Sequence, residues 1–395
     1  MIPLNFVFQI APDSAEHKME ILTGNPDVVP THSPWKLDLK RAFRNLEELL
    51  EYVEVAPAEV AGLSQAGSQF GVFATRSYAS RIRKGDPFDP LLLQIVPRNA
   101  DSSFLANEMK PQENPISQTG VERPSSVQSD WSLDPVGDAT ASRIPGLLHK
   151  YAGRVLLVLT GACAIHCRYC FRQHFDYSAA TRHSGKRDAH SSLATAGVAN
   201  HRWRDAMEYI GSDPTISEVI LSGGDPLMVT DNELKDLVEH VSAIPHVQHL
   251  RIHTRMPVVL PNRITPSLLK MLQETDLVTR VVLHVNHANE MDELVAAAVG
   301  KIRQTDTVVM NQAVLLKDVN DSFQAQLDLS KRLIQNQVLP YYLHLLDQVR
   351  GGEPFFVSDQ HAKSIHLQLL ANLPGYAVPK LVREVAGEPN KRPVV

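Results

Sequence analysis

The sequence is poor in cysteine: it has three cysteines in 395 residues, and all of them lie between Cys163 and Cys170. So few cysteines, placed so close together, exclude a disulfide framework as the source of stability. The sequence also lacks an apolar run long enough to cross a membrane. The first residues, MIPLNFVFQIAPDSAEHK, lack the basic segment and the cleavage site of a signal peptide. We therefore expect a protein of a reducing compartment, the cytoplasm.

An excess of basic charge is missing as well. The formal net charge is −5 at pH 7, with 39 lysines and arginines against 44 acidic residues. Nucleic-acid binding usually depends on a basic patch or stripe, so nucleic acid is not the expected partner. The hydrophobic share of 43% and the charged share of 21% are ordinary for a globular protein. The length allows one large domain or two.

The three cysteines, Cys163, Cys167 and Cys170, have the spacing C-x3-C-x2-C in the stretch CAIHCRYC. One loop can bring three thiolates together at this spacing. Three thiolates on a [4Fe–4S] cluster leave one iron without a protein ligand, and that iron can chelate a small molecule. With Tyr169 before the last cysteine and an apolar strand before the first, the pattern resembles the signature of radical S-adenosylmethionine (SAM) enzymes.

Zinc is the alternative ligand for the cysteines, with His166 or His174 as the fourth ligand. The chain would then be a non-catalytic metal-binding scaffold. All the cysteines of the chain stand in one motif and in this order, which chance clustering does not explain. The cluster is therefore the favoured interpretation.

From Arg154 onward, an apolar strand alternates with an amphipathic helix at a period of about 30 residues. Near-continuous apolar runs are typical of strands that are buried on both faces of a parallel sheet. The predicted strands are Val155–Leu159, Glu218–Leu221, His249–His253, Arg280–Val285, Thr307–Leu315 and Leu339–Leu345. Six βα units favour an α/β fold with an incomplete (β/α)6 barrel, whose active site lies at the carboxyl ends of the strands. The cysteine loop directly follows the first strand, at that end.

Composition divides the chain into four predicted parts. These are a mainly helical N-terminal extension at 1–97, a polar and disordered insertion at 98–140, the barrel core at 141–372, and a C-terminal segment at 373–395. In the extension, apolar residues at helical spacing predict one amphipathic helix over 34–55. A second polar insertion interrupts the core near 182–200.

Two further stretches suggest chemistry. The turn Ser222-Gly223-Gly224-Asp225-Pro226 follows the second strand, and its glycines would let the backbone approach a ligand. An ordinary tight turn is the alternative. Lys380 follows two prolines and a glycine in LPGYAVPK, a loop that these residues would make rigid. A lysine held in place can form an imine with pyridoxal phosphate (PLP), although spacing alone favours a solvated surface lysine.

Together, the motifs resemble the lysine 2,3-aminomutase family of radical SAM enzymes. They are CAIHCRYCFRQHF, SGGDPL, RIHTRMPVVLPNRIT, NQAVLLKDVND and PYYLHLLDQ. The ending GYAVPKLVREVAGEPNKRP is most similar to the branch that supplies β-lysine for elongation factor P (EF-P). The resemblance covers nearly all of the chain except the two polar insertions. It implies conversion of L-lysine to β-lysine, as the R isomer in this branch, with a [4Fe–4S] cluster, SAM and PLP as cofactors.

The resemblance also implies which residues bind the cofactors. Tyr151 and Arg154 match the family's contacts to the PLP phosphate, and an arginine suits a phosphate chemically. Lys380 matches the lysine that forms the Schiff base with PLP. Gly223, Gly224 and Asp225 belong to the motif that meets the amino group of SAM. His284 and Gln312 match positions near SAM, although His284 could equally be a core histidine.

For the substrate, Arg172 matches the arginine that pairs with the carboxylate of lysine, and Asp347 matches an aspartate that holds the ε-ammonium. The free-lysine mutases carry a second aspartate seven residues before the PLP lysine. Counted back from Lys380, that position is Leu373. The EF-P branch lacks this aspartate too, so the departure favours that branch.

The resemblance finally implies partners: an electron donor such as flavodoxin or ferredoxin, and a functional link to the EF-P lysyl ligase. A free-lysine mutase of secondary metabolism is the first alternative, and it differs in the stereochemistry and fate of the product. A glutamate 2,3-aminomutase is less favoured, because a carboxylate side chain would need a cation where Asp347 stands.

Overall fold

The computed structural model describes residues 34–60, 71–98, 131–178 and 203–395. The predicted insertion near 182–200 lies outside these residues, as do most of the insertion at 98–140 and the first part of the N-terminal extension. No helix of the described residues is long and apolar enough to span a membrane.

A ten-stranded sheet forms the centre of the structure, with its strands in chain order. They are β1 (Ser142–Ile144), β2 (Leu147–Tyr151), β3 (Arg154–Val158), β4 (Glu218–Ser222), β5 (His249–Thr254), β6 (Val278–Leu283), β7 (Val308–Val314), β8 (Leu339–His344), β9 (Lys380–Arg383) and β10 (Arg392–Pro393). Strands β3 to β9 are parallel, whereas β1, β2 and β10 pair antiparallel at the edges. The two edge strands do not pair with each other in the described sheet. The sheet is therefore the predicted partial barrel, but with seven parallel strands where the sequence predicted six.

The helices lie between the strands and before them. In the described residues they are α1 (Pro34–Lys40), α2 (Leu46–Tyr52), α3 (Arg76–Ala79), α4 (Pro90–Leu93), α5 (Asp138–Ala141), α6 (Arg204–Ser212), α7 (Asp231–Ser242), α8 (Met256–Val259), α9 (Pro266–Glu274), α10 (Glu293–Arg303), α11 (Phe323–Gln335) and α12 (Asp359–Asn372). Each parallel strand from β4 to β9 follows a helix, as βα units require. Helix α7 begins with a capping box of Thr230 and Glu233.

The six predicted strands all exist, with ends shifted by a residue or two. The sequence did not predict β1, β2, β9 and β10, because each is short and carries too few apolar residues to give a pattern. Lys380 was therefore expected in a loop. It is instead the first residue of β9 and pairs with Tyr342 of β8.

The predicted single helix over 34–55 is wrong. Two short helices, α1 and α2, stand there instead. Between them Phe43 forms a β-bridge with Ala74, and its aromatic side chain is buried. Asn45 then caps α2 by accepting hydrogen bonds from the backbone of Glu47 and Glu48. Burial of Phe43 and the asparagine cap thus end one helix and begin the next.

The predicted boundary of the polar insertion at residue 140 is also wrong, because residues 131–140 are packed into the fold. Trp131 is buried and contacts the ring of Phe356. Asp138 begins α5 and is 1% exposed. The few apolar residues of 131–140 stand among polar ones, so the sequence did not predict that this stretch packs into the fold.

The N-terminal extension braces the cysteine loop. Ala74 forms a bridge with Ile165. The backbone of His166 donates to the carbonyl oxygen of Phe73 at 2.9 Å. That of Arg168 donates to the carbonyl oxygen of Gln94 at 3.0 Å. Backbone hydrogen bonds from the extension therefore fix the path of the loop before any metal is considered.

Candidate active site

One cavity of about 900 Å³ occupies the inside of the partial barrel. Side chains of β2 to β9 line it, together with the cysteine loop. The residues predicted for the site all face this cavity: Tyr151, Arg154, Cys163, Cys167, Cys170, Arg172, Gly223, Gly224, Asp225, His284, Gln312, Asp347 and Lys380. The structure thus brings together side chains that stand more than 200 residues apart in the sequence.

The three cysteines are free thiols, each partly exposed to the cavity. Burial raises the pKa of the Cys170 thiol to about 12, and the neighbouring Cys167 adds to the rise. Burial and Cys170 likewise raise the pKa of Cys163. Mutual repulsion of this kind requires sulfur atoms that lie close together. A bound iron cluster, which takes thiolates as ligands, would remove this repulsion.

The zinc alternative fits the geometry poorly. His166 places Nδ1 2.7 Å from the carbonyl oxygen of Gly71. His174 places Nε2 3.0 Å from that of Arg350. Each proposed fourth ligand thus has one ring nitrogen already engaged by a backbone carbonyl.

The two glycines after β4 meet protein backbone, which gives them a role apart from the predicted approach to a ligand. A Cβ on Gly223 would lie 2.5 Å from the carbonyl oxygen of Thr160, and its φ is +133°. A Cβ on Gly224 would collide with the carbonyl oxygen of Ala162. The backbone N–H of Gly224 donates to the Thr160 oxygen at 2.6 Å. The glycines therefore let the motif pack against the start of the cysteine loop.

Asp225 braces the ends of two strands. Its carboxylate accepts hydrogen bonds from the Thr254 hydroxyl and the backbone N–H of Arg255, both at 2.7 Å. It also accepts one from the backbone of Leu227. Burial raises the pKa of this carboxyl to about 6, and these hydrogen bonds oppose the rise. Its oxygens are therefore largely used by the protein, although the residue borders the cavity.

His284 directly follows β6 and Gln312 lies on β7, and the two have different surroundings. The His284 ring stacks on Tyr169, and its Nε2 lies 2.9 Å from the Tyr169 hydroxyl. Burial and then Arg255 lower the pKa of His284 to about 3, so the ring is neutral. Within the described residues, the Gln312 amide makes no hydrogen bond and faces the cavity.

A chain of buried charges crosses the cavity wall, and the sequence predicted only its first member. Arg172 Nε donates to Asp138 Oδ2 at 2.6 Å. Lys150 Nζ lies 2.7 Å from the other Asp138 oxygen and 3.0 Å from Glu384. Lys391 Nζ pairs with the second oxygen of Glu384. Burial would raise the pKa of Glu384, but Lys391 and Lys150 lower it overall.

Asp347 stands beside this chain without a partner. Its carboxylate makes no hydrogen bond and no ion pair within the described residues, and it faces the cavity. Burial, followed by repulsion from Glu384, raises its pKa to about 7. A buried carboxylate without a cation is costly, so this position favours a cationic ligand.

Two lysines of the C-terminal segment line the cavity in different ways. The side chain of Lys380 is exposed and makes no hydrogen bond or ion pair in the described structure. Lys391 is more buried, and its Nζ lies 6.0 Å from the centre of the Tyr342 ring. The sequence contained a usable signal for Lys391. Glu384 precedes it by seven residues, which is the spacing of the acid before the PLP lysine in the free-lysine mutases.

Tyr151 and Arg154 lie at the end of the cavity where the parallel strands begin. The Arg154 guanidinium stacks on the Tyr151 ring at 4.6 Å from its centre. Among the described residues, Arg154 has no carboxylate partner. Burial and a hydrogen bond to Glu384 raise the pKa of Tyr151, so it stays a neutral donor. An unpaired cation beside a phenol can bind a phosphate.

Comparison with known proteins points to one family. The model of a "4Fe-4S single cluster domain" matches residues 152–301. The L-lysine 2,3-aminomutase of Escherichia coli is 39% identical over 92% of this chain and 95% of its own length. That of Haemophilus influenzae is 39% identical over 94% and 98%. That of Clostridium subterminale is 31% identical over 91% and 77%.

Gly224→Ala should detach the cysteine loop from the turn after β4, because the new Cβ would collide with the Ala162 carbonyl. We expect a lower melting temperature and a several-fold lower iron content after anaerobic reconstitution. Gly211→Ala in α6 is the matched control, since no atom lies within 4 Å of its added Cβ. Alanine is favoured over glycine there by about 1 kcal/mol. Normal iron content in Gly224→Ala would refute the packing argument.

Asp347 should make stability depend on pH. Its carboxyl has a pKa of about 7 in the folded protein and about 3.9 in an unfolded chain. Between these values the folded state holds a proton that the unfolded state releases. The free energy of unfolding therefore falls as the pH rises from about 4 to about 7. Denaturant titrations should find Asp347→Asn stabilised relative to wild type at about pH 7.5, and less so at about pH 5.

The control is Asp236→Asn on α7, where the side chain is exposed. Its difference from wild type should be the same at both pH values. A pH-independent difference for Asp347→Asn would show that the carboxyl is not buried in the charged form.

Proposed function

The chain belongs to the L-lysine 2,3-aminomutase family, and we propose that it is the PLP-dependent member that converts L-lysine to β-lysine. The family is one of isomerases of the radical SAM type. The observation that carries the proposal is the unpaired carboxylate of Asp347, next to Glu384, in the same cavity as the three cysteines. An amino acid with a cationic side chain complements this pair of acids.

The cofactors of the proposal are a [4Fe–4S] cluster, SAM and PLP. When bound, the reduced cluster and SAM supply a carbon radical that removes a hydrogen atom, and PLP carries the migrating amino group. Cys163, Cys167 and Cys170 are the residues that hold the cluster. The cavity joins their sulfur atoms to the phosphate-type site at Arg154, so one space accommodates all three groups.

For the PLP lysine, the structure favours Lys391 over the predicted Lys380. The family rule of an acid seven residues before this lysine fails at Lys380, because Leu373 stands there and belongs to the end of α12. The rule is met at Lys391, whose partner is Glu384. Lys391 is also the more buried of the two lysines. With Lys391 as the PLP lysine, Glu384 supplies the acid that is absent at Leu373, so the absence of that acid does not distinguish the EF-P branch.

The phosphate of PLP would bind to Arg154, with the Tyr151 hydroxyl as a further donor. Arg154 stacks on Tyr151, and Tyr151 hydrogen-bonds to Glu384, which in turn pairs with Lys391. The lysine and the phosphate site are therefore parts of one polar cluster. A covalent bond to Lys391 on one side and phosphate contacts to Arg154 and Tyr151 on the other would hold the PLP ring in one orientation. Fixed orientation of the reacting groups is a main source of catalysis.

The substrate would be held at its two ends. Asp347 and Glu384 receive the ε-ammonium. Arg172 receives the carboxylate through the terminal nitrogen that neither Asp138 nor Ser222 occupies. Glutamate is the wrong substrate for this site, because a second carboxylate would meet the two acids. Held at both ends, the carbon chain of lysine can present one hydrogen to the radical.

We assign the product to the supply of β-lysine for EF-P, in line with the similarity of the C-terminal sequence GYAVPKLVREVAGEPNKRP to that branch. This assignment predicts the R isomer, passed on to the EF-P lysyl ligase. Chiral chromatography of the product separates it from a free-lysine mutase of secondary metabolism, which makes the S isomer.

Lys391→Ala should abolish covalent PLP binding and turnover, and leave the cluster spectrum unchanged because the cysteines lie on another loop. Borohydride reduction of wild type, followed by peptide mapping, should find the cofactor on Lys391. Lys380→Ala is the matched control from the same segment and should still trap PLP. Trapping on Lys380 in the wild-type protein would restore the prediction made from the sequence.

Asp347→Asn tests the choice of substrate. Truncating one partner of a buried ion pair costs about 3–5 kcal/mol, so kcat/KM for lysine should fall by roughly two or more orders of magnitude. Norleucine has the same carbon chain without the ammonium, and its low turnover should hardly change. Unchanged discrimination between the two in a folded, PLP-loaded variant would mean that the ammonium is recognised elsewhere.

A further inference from the structure

A buried arginine lies against one of the cluster cysteines. Arg255 directly follows β5 and is 6% exposed. Its Nη1 lies 2.7 Å from the Sγ atom of Cys167 and 2.8 Å from the Tyr169 hydroxyl. No sequence motif pointed to this contact, because 88 residues separate Arg255 from Cys167.

The other side of the guanidinium is anchored by a fully buried acid. Arg255 Nη2 donates to Glu290 Oε2 at 2.8 Å and to Gln94 Oε1 at 2.7 Å. Burial would raise the pKa of Glu290, but Arg255 and a backbone hydrogen bond from Asn286 lower it overall. An ionised acid in this place holds the guanidinium by a charge-assisted bond.

The backbone of Arg255 is fixed as well. Its N–H donates to Asp225 at 2.7 Å, and Asp225 belongs to the turn that packs against the cysteine loop. Gln94, from the N-terminal extension, holds Nη2 and also the Tyr169 hydroxyl. Three separate segments thus determine where Nη1 stands. Buried ion pairs often contribute nothing to stability. A contribution to stability is therefore a poor explanation for the buried guanidinium of Arg255.

We propose that Arg255 is a positioning residue that raises the reduction potential of the [4Fe–4S] cluster through the sulfur of Cys167. Reduction adds negative charge to a cluster and to its sulfur ligands. A cationic donor at one sulfur stabilises the reduced form more than the oxidised form, and hydrogen bonds to the sulfurs are known to set such potentials. The proposal rests on the cluster assignment but on neither PLP nor lysine.

The test is a redox titration of the full chain, reconstituted anaerobically without SAM, PLP or lysine. The reduced cluster is followed by electron paramagnetic resonance. Arg255→Gln should shift the midpoint potential to more negative values. A tenfold change in the reduction equilibrium corresponds to 59 mV for one electron, and we expect a shift of about this size. An unchanged potential would overturn the proposal.

Arg263→Gln is the matched control, because Arg263 is also a buried arginine and follows Arg255 by eight residues. It donates to the backbone of Leu227 and Val229 and pairs with Asp231, away from the cysteines. This variant should lose stability and keep the wild-type potential. An equal shift in both variants would mean that the potential reports general loosening and would refute a specific role.

If Arg255→Gln does not retain a cluster, the wild-type protein decides the question. Protein grown with guanidino-¹⁵N arginine should show a ¹⁵N coupling in pulsed paramagnetic resonance of the reduced cluster, and Arg255→Lys should weaken it. Absence of any such coupling in wild type would overturn the proposal. Because these readouts need no turnover, failure of the lysine assay would leave them unaffected.

Discussion

Charge buried inside the partial barrel is the constraint on which the site depends. Within the described residues, the ion-paired chain and the neighbouring Asp347 hold three acids, Asp138, Glu384 and Asp347, and three bases, Arg172, Lys150 and Lys391. If Lys391 becomes the covalent anchor of PLP and gives up its charge, Glu384 and Asp347 share one cation too few. Buried charge without a partner is costly, and the ε-ammonium of lysine is the missing cation. Substrate choice would then follow from the charge balance of this group of residues.

The cysteine end of the cavity depends on contacts between backbones. The start of the cysteine loop packs against Gly223 and Gly224, and residues 71–98 of the N-terminal extension pair with its middle. The parallel strands bring the cysteine loop and the turn after β4 to one edge of the sheet. The two glycines then allow their backbones to come into contact. Contacts within the protein thus set the geometry of the three sulfurs. Asp225, in the turn after β4, links the cysteine loop to Arg255 at the end of β5.

Much of the fold could be predicted from the sequence, because long apolar runs mark strands that are buried on both faces. The cysteines were also predictable, since their spacing is local. The rest depended on contacts between distant segments. Asp138 lies in a segment whose polar composition suggested an insertion, and nothing local links Arg255 to Cys167. Lys380 and Lys391 share one short stretch, and only the structure distinguishes the exposed side chain from the buried one.

The central claim is that one cavity joins cluster chemistry to a lysine held at both ends. The most direct measurement is an anaerobic reaction of the reconstituted protein with SAM, PLP, a reductant and L-lysine deuterated at the β-carbon. The account predicts β-lysine, formed only when all components are present, with deuterium carried over into the 5′ position of recovered SAM. Consumption of SAM to methionine and 5′-deoxyadenosine without any β-lysine would contradict it.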